Sequence, residues 1–369
     1  MTVTVALAGD TMLGRGVART LTISPPKALV APEVRDALAE ADLVVLNLEC
    51  CISERGRPWD APGKPFFFRA PPRAVELLAL LGTDCVTLAN NHALDYGVDA
   101  LADTLDHLAA AGIAAVGAGT DLEQARRPAV LTAREVRLAV LGVTDHPADF
   151  AAGPDRPGVA FADLGHQVPQ WLLQTVREAE ADAVLVTPHW GPNMTSAPVR
   201  HVRRAATALV EAGATLIAGH SAHVPHGVAG PVLYDLGDFL DDYRVDPRLR
   251  NDLGLLFLVT LDARGPIRLE ALPLKLEYCH TRLATGEDAT WMQHRFRAAC
   301  ADLRTAVEDT ADRLTINWRK PSAGRPTHGS SAQSEGVQCV VPGGAEGVCT
   351  QSARQSDDES QRRAAGSWA

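Results

Sequence analysis

Val3-Thr4-Val5-Ala6-Leu7-Ala8-Gly9-Asp10 is an apolar run of strand length that stops on a glycine and a carboxylate. The same ending recurs along the chain. Strands expected near 43–49, 85–90, 182–189 and 214–219 finish on Asn47-Leu48-Glu49, Asn90-Asn91-His92, His189-Trp190-Gly191 and Gly219-His220, the last followed by His223 and His226. Apolar periodicity predicts further strands near 113–117, 136–144, 231–236, 254–262 and 267–277. Amphipathic helices are expected near 33–40, 72–81, 98–111, 167–180 and 199–212. In the 98–111 segment Leu101, Leu105 and Leu108 recur at helical spacing opposite Asp103 and Asp106, and Gly112 stops the helix. A last helix, expected over 288–310, carries Trp291, Met292, Phe296, Cys300, Leu303 and Val307 on one stripe. Alternating strands and helices, followed by antiparallel strands over 231–277, predict a layered α/β sandwich in one domain.

The chain has 369 residues, 35 Lys and Arg against 45 Asp and Glu, and a formal net charge of −10. That balance argues against nucleic acid or an anionic membrane surface as a partner, since both are held by basic patches. Residues 1–319 are expected to fold. Residues 320–369 contain no Leu, Ile, Phe, Tyr or Met, cannot offset their chain entropy by burial, and are expected to be disordered. No run approaches the roughly 20 apolar residues that span a bilayer, and the N-terminus lacks a signal-peptide pattern. Seven cysteines without a Cys-x-x-Cys pair fit a reduced, cytoplasmic setting.

In open α/β sheets ligands bind beyond the carboxyl ends of the strands. Five strand ends offering carboxylates, an amide and imidazoles therefore predict a convergent metal site, with a donor set suited to Mn²⁺, Fe or Zn²⁺. Competing motifs fail. Gly9-x4-Gly14 continues Arg15-Gly16, not the Lys-Ser/Thr of a phosphate-binding loop, and Gly117-Ala118-Gly119 lacks the third glycine of a dinucleotide fingerprint. His220, His223 and His226 lack the cysteines of a structural zinc site, and no Gly-x-Ser-x-Gly elbow is present.

Gly9-Asp10-Thr11-Met12-Leu13-Gly14-Arg15, Asn47-Leu48-Glu49 and Asn90-Asn91-His92-Ala93-Leu94-Asp95-Tyr96-Gly97 resemble signatures of CapA-type proteins. That family is named for capsule and poly-γ-glutamate biosynthesis and belongs to the calcineurin-like metallophosphoesterase superfamily. Lys64-Pro65-Phe66-Phe67-Phe68-Arg69-Ala70-Pro71, His189-Trp190-Gly191, Gly219-His220-x2-His223-Val224 and Tyr234-Asp235-Leu236-Gly237-Asp238-Phe239 follow in family order, so the resemblance covers roughly residues 3–240. It implies a four-layer α/β/β/α metallophosphoesterase-like sandwich holding one or two divalent ions. Glu49 would take the bridging position, Asp10 and His223 would bind one ion, and Asn91, His189 and His220 the other. His92 would protonate a leaving group, with Asp95 either orienting it or serving as a turn or cap residue. Arg15 would hold a substrate phosphate or carboxylate, with Lys64 and Arg69 as second candidates.

The chain departs from the pattern at three places. Met12 stands where phosphoesterases of the superfamily carry a metal-binding His. Pro192-Asn193-Met194 replaces an acidic-aromatic pair, and Ser221-Ala222 replaces the middle of a His-His-Pro-His block. The implied activity is metal-dependent hydrolysis of a phosphoester or γ-glutamyl amide in an anionic small molecule or peptide. The alternatives are a non-catalytic accessory protein of poly-γ-glutamate or capsule assembly, and an amide-forming or amide-cleaving tailoring enzyme.

Overall fold

In the structure, a computed structural model that describes residues 1–60, 63–310 and 312–319, the first strand shows how the layers arise. Along Val3–Thr11, Val3, Val5 and Leu7 enter one apolar core while Ala6 and Ala8 enter another. Successive side chains of a strand face opposite ways, so a strand apolar on both faces must be covered twice. Its neighbours in a ten-stranded sheet are Leu43–Leu48, parallel, and Leu253–Asp262, antiparallel. Cys85–Thr87 and Ala114–Val116 extend the parallel half; Gly265–Glu277 and Arg313–Asn317 extend the other.

A six-stranded sheet has Val136–Thr144, Ala183–His189 and Leu216–Ala218 as its parallel centre. One core joins Val5, Leu7 and Val45 of the first sheet to Leu138, Val140, Leu185 and Leu216 of the second. A second core packs Ala6, Val44 and Leu46 against the helices Arg15–Ile23, Pro32–Leu38, Ala74–Leu80 and Gly97–Ala110. A third packs Leu141, Val143, Val184 and Val186 against Gln170–Arg177 and Arg200–Ala212. Three cores between four layers make the expected α/β/β/α sandwich.

The parallel strands begin in a repeated way. The side chain of the residue just before each strand accepts the N–H of the second residue of the neighbouring strand: Thr4 N to Asp42 at 2.8 Å, Val44 N to Asp84 at 2.8 Å, Arg137 N to Asp182 at 2.8 Å and Val184 N to Thr215 at 2.9 Å. Those pairings tie down one end of each sheet and leave the other for chemistry.

Some expectations are corrected. The last helix runs Gly286–Asp302 and stops well short of 310. Arg304 adopts a left-handed backbone (φ 62) and Thr305 N donates to Cys300 O at 2.9 Å, a helix-ending turn made without glycine. The chain then enters a hairpin of Glu308–Thr310 with Arg313–Asn317. Within the stretch expected to be antiparallel, Val232–Leu233 lies parallel to Leu216–Ala218. Among the described residues Cys50, Cys51, Cys85, Cys279 and Cys300 are free and buried, and no helix is long and apolar enough to cross a membrane. The segment expected to be disordered, 320–369, lies outside the described residues.

Candidate metal centre

At the carboxyl ends of the strands the two sheets contribute different chemistry. The first sheet brings Asp10 within its strand, Glu49 one residue past Leu48, and Asn90-Asn91-His92 in the turn after Cys85–Thr87. The second brings His189 at the end of its strand and His220 two residues past Ala218, the two paired as an isolated bridge. His223 follows in the loop, with its backbone in the left-handed region (φ 60).

These side chains converge. Atoms of Asp10, His189 and His220 lie within 4.8 Å of one another, and so do atoms of Asp10, His223 and Asp238. Asp10 belongs to both triplets. Asn47 Nδ2 donates to its Oδ1 at 2.6 Å, fixing the carboxylate. Glu49 lies in neither triplet; its Oε1 is 3.8 Å from His189 Nε2, and its Oε2 accepts from the Tyr243 hydroxyl at 3.1 Å. His189 Nδ1 and His220 Nδ1 are 2.8 Å apart.

Buried polar atoms test whether a cation fits here. Glu49 Oε1, Asn91 Oδ1, His220 Nε2, Asp10 Oδ2 and Asp238 Oδ2 are buried without a hydrogen-bond partner. Natural interiors leave few such atoms unmet, and a carboxylate oxygen, an amide oxygen and an imidazole nitrogen are all metal donors. Burial pushes Glu49 well above the usual carboxylate range, and Asp10 adds to the shift. Burial likewise pushes His189 well down and His220 down to about 4, which keeps both imidazoles in the neutral form that binds metal. His223 goes the other way: burial opposes its charge, but Asp238 and Asp10 hold it well above the ordinary value. The donor set fits one or more divalent ions.

His92 stands beside this cluster. Its Nδ1 is 2.6 Å from Asp95 Oδ2, and its ring stacks on Phe68 with centroids 4.0 Å apart. Asp95 also accepts from Phe68 N at 2.6 Å and pairs with Lys64 Nζ at 3.0 Å, so its side chain is engaged with His92, Phe68 and Lys64 together. Burial outweighs Asp95 and lowers the His92 pKa. Asn90, beside the candidate ligand Asn91, is structural: it donates to Asn47 Oδ1 and Leu48 O and accepts from His92 N.

The three candidate substrate-binding cations behave differently from one another. Lys64 is buried, tied to Asp95 and to Asn91 O at 2.8 Å, and is no free anchor for an anion. Arg69 sits over the Tyr96 ring at 4.2 Å and donates to Arg55 O, apart from the converging groups. Arg15, also left-handed (φ 47), pairs with Asp242 at 2.6 Å and lies among the rings of Phe66, Phe68 and Tyr243. Since Tyr243 also touches Glu49, Arg15 borders the centre with part of its charge already shared.

Sequence reasoning passed over Asp238, Tyr243 and His146. His146 Nδ1 is 2.5 Å from Asp145 Oδ1 and its ring lies 5.1 Å from that of His189. The signal for it was present: Thr144-Asp145-His146 ends the apolar strand Val136–Thr144 just as the other site residues end theirs. Asp238 also carried one, since Gly237-Asp238 follows the strand expected over 231–236 and lies in a block that matches the family pattern, whereas Tyr243 carries no comparable signal.

Comparison with known proteins places this arrangement. The chain is 34% identical to a Mycobacterium tuberculosis protein named "Probable polyglutamine synthesis accessory protein", an alignment spanning 79% of this chain and 90% of that one. It is 32% identical to the "PGA biosynthesis protein CapA" of Bacillus subtilis, over 63% of this chain and 62% of that one. Among solved structures, a hypothetical protein from Thermus thermophilus aligns over 74% of this chain and 99% of its own at 18% identity, with a TM-score of 0.42. Residues 4–243, which span the whole cluster from Asp10 to Tyr243, match the family described as bacterial capsule synthesis protein PGA_cap, and the chain belongs to that family.

Proposed function

We propose that the chain is a metal-dependent hydrolase that cleaves a phosphoester or a γ-glutamyl amide in an anionic small molecule or peptide. The observation that carries this reading is the His92–Asp95–Lys64 relay set beside a cluster of buried, unpartnered metal donors. Asp10, His189 and His220, with Asn91 and Glu49 alongside, would hold an ion. A divalent ion bound there supplies Lewis acidity and lowers the pKa of its water. Asp95 fixes His92 through Nδ1, which leaves the other ring nitrogen to exchange a proton with substrate. The lowered pKa makes the imidazolium a strong donor to a departing oxygen or nitrogen. Lys64 neutralises the second oxygen of Asp95 and keeps the relay fixed. Arg15, stacked among three rings at the border, faces the anionic part of the substrate.

The name of the mycobacterial relative favours a second reading, an accessory protein that binds polymer without cleaving it. A binding pocket has no use for a carboxylate-oriented imidazole beside the ligands, so the two readings separate on His92. With Mn²⁺ present, p-nitrophenyl phosphate or a γ-glutamyl anilide should be turned over, and His92→Ala should lower kcat by roughly 10²–10⁴-fold with metal content unchanged. Absence of turnover on both substrate classes, or a His92→Ala protein as active as wild type, overturns the hydrolase.

A further inference from the structure

The register of two strands sets a second carboxylate against Asp10: Asp238, the first residue of Asp238–Leu240, is its direct partner in the parallel pairing with Val3–Thr11. We propose that Asp238 is a metal ligand, and that Asp10, Asp238 and His223 hold a second divalent ion of harder character than the one beside His189 and His220. The inference rests on the metal-dependent reading above; the position shared by Asp10 and His223 is the one the family resemblance implies, and what is added is Asp238 as its ligand.

The usual ligand near this position is missing from the sequence, because Met12 stands two residues after Asp10. The structure shows that Met12 does not substitute: it is fully buried in the helix-side core, and its Sδ accepts from Gly14 N at 3.0 Å. Asp238 takes that place from another strand. His223 Nδ1 lies 2.7 Å from Asp238 Oδ1 and 3.2 Å from Asp10 Oδ2, so one imidazole nitrogen and two carboxylates face a common point.

A carboxylate that only oriented His223 would need one oxygen for the task and would find a donor for the other. Asp238 Oδ2 is buried and meets no N–H or hydroxyl donor; beside the Asp238 side chain lies the Asp241 carboxyl, another oxygen ligand for a cation. The left-handed backbone of His223 is a conformation that non-glycine residues keep only when surrounding contacts fix it, and Asp10 and Asp238 are those contacts.

The two positions differ in donor chemistry. Two carboxylates and one imidazole favour Mn²⁺ or Mg²⁺. Two imidazoles with an amide oxygen and a carboxylate favour Zn²⁺ or Fe²⁺.

The test uses the full chain, stripped with a chelator, then titrated with Mn²⁺ and with Zn²⁺. Bound metal is measured by mass spectrometry and Mn²⁺ by electron paramagnetic resonance. Wild type should hold two equivalents. Asp238→Asn and Asp238→Ser should each hold one, with Mn²⁺ affinity at the lost position reduced more than about 100-fold, beyond the 10–100-fold loss typical of a residue that merely orients a ligand. His189→Ala should lose the other equivalent and keep the Mn²⁺. Two retained equivalents in both Asp238 variants, or a loss of 100-fold or less, overturn the ligand role. One equivalent in wild type, unchanged by Asp238→Asn, overturns the second ion and leaves the metal-dependent reading standing. No bound ion in wild type overturns both.

Discussion

The same strands carry polar residues at both ends, and the two ends treat them differently. At the amino ends Asp42, Asp84, Asp182 and Thr215 each accept a backbone N–H from the adjacent strand. At the carboxyl ends and the loops beyond them Asp10, Glu49, Asn91, His220 and Asp238 each keep a buried polar atom with no partner. Residue type does not separate the two ends, because Asp serves at both. What separates them is unmet hydrogen-bonding capacity. An unsatisfied buried group costs about 1–3 kcal/mol, more when charged, so a fold keeps several together only where a ligand compensates. The amino ends hold the sheets in register, and the carboxyl ends store an electrostatic deficit.

The strongest way to break this contrast is to add the ions. Metal-stripped protein titrated with Mn²⁺ or Zn²⁺ should become more stable, by about 4 kcal/mol when free metal exceeds Kd a thousandfold, seen as a rise in Tm. Asp10→Asn should remove most of that gain, because Asp10 belongs to both triplets. Asp182→Asn, at the other end, should leave the gain intact. A wild-type Tm indifferent to every divalent ion would end the distinction drawn between the two ends.

A smaller effect sharpens it with opposite signs in one variant. Glu49 is fully buried, and burial together with Asp10 raises its pKa well above the usual range, so its charge strains the metal-free fold. Glu49→Gln keeps an acceptor for the Tyr243 hydroxyl and removes the charge. Metal-free Glu49→Gln should melt above metal-free wild type, by roughly 1 kcal/mol or more, while binding metal more weakly. Calorimetry with and without Mn²⁺ reads both signs; a variant less stable than wild type in the metal-free state would show that the carboxylate is compensated by the protein itself.

The contrast also explains what the sequence could show. Strand-length apolar runs ending on Asp10, Glu49, Asn91-His92, His189 and His220 were legible because alternation and termination are local properties. A layered α/β sandwich was legible from the alternation of strands and helices, while its four layers followed from the family resemblance. The pairing of Asp10 with Asp238 was not legible, because it depends on a register between strands far apart in sequence. Lys64 read as a candidate anchor for an anionic substrate for a similar reason, since only the fold brings it to Asp95. The helix Arg15–Ile23 was missed because Thr20, Thr22 and Ile23 disfavour helix, and burial of Val17 and Leu21 overrides that preference. The end of the last helix was missed because Arg304, not a glycine, makes its left-handed turn.

The weakest effect belongs to the amino ends and tests whether they are scaffolding alone. Asp84 accepts Val44 N at 2.8 Å, while its own N and O pair with Val44 O and Ala114 N. Asp84→Ala deletes only the side-chain acceptor and leaves Val44 N unmet, a cost of about 1 kcal/mol, with metal content unchanged. Asp84→Asn keeps an acceptor oxygen and should cost less than the alanine variant. The charge adds a pH dependence whose sign follows from burial, which raises the Asp84 pKa despite the opposing hydrogen bond from Val44 N. With the folded pKa above the unfolded one, the native state binds more protons in the window between them. The stabilisation from this group is therefore complete below the unfolded value, near 3.9, and is lost as pH rises through the raised folded value. Asparagine cannot titrate, so the stability difference between Asp84→Asn and wild type should shift in favour of the variant as pH rises across that window and stay flat above it. Urea denaturation at a series of pH values measures the difference, and a trend of opposite sign would mean that Asp84 is held as a stabilised anion, making that strand start an electrostatic element and not a neutral tie.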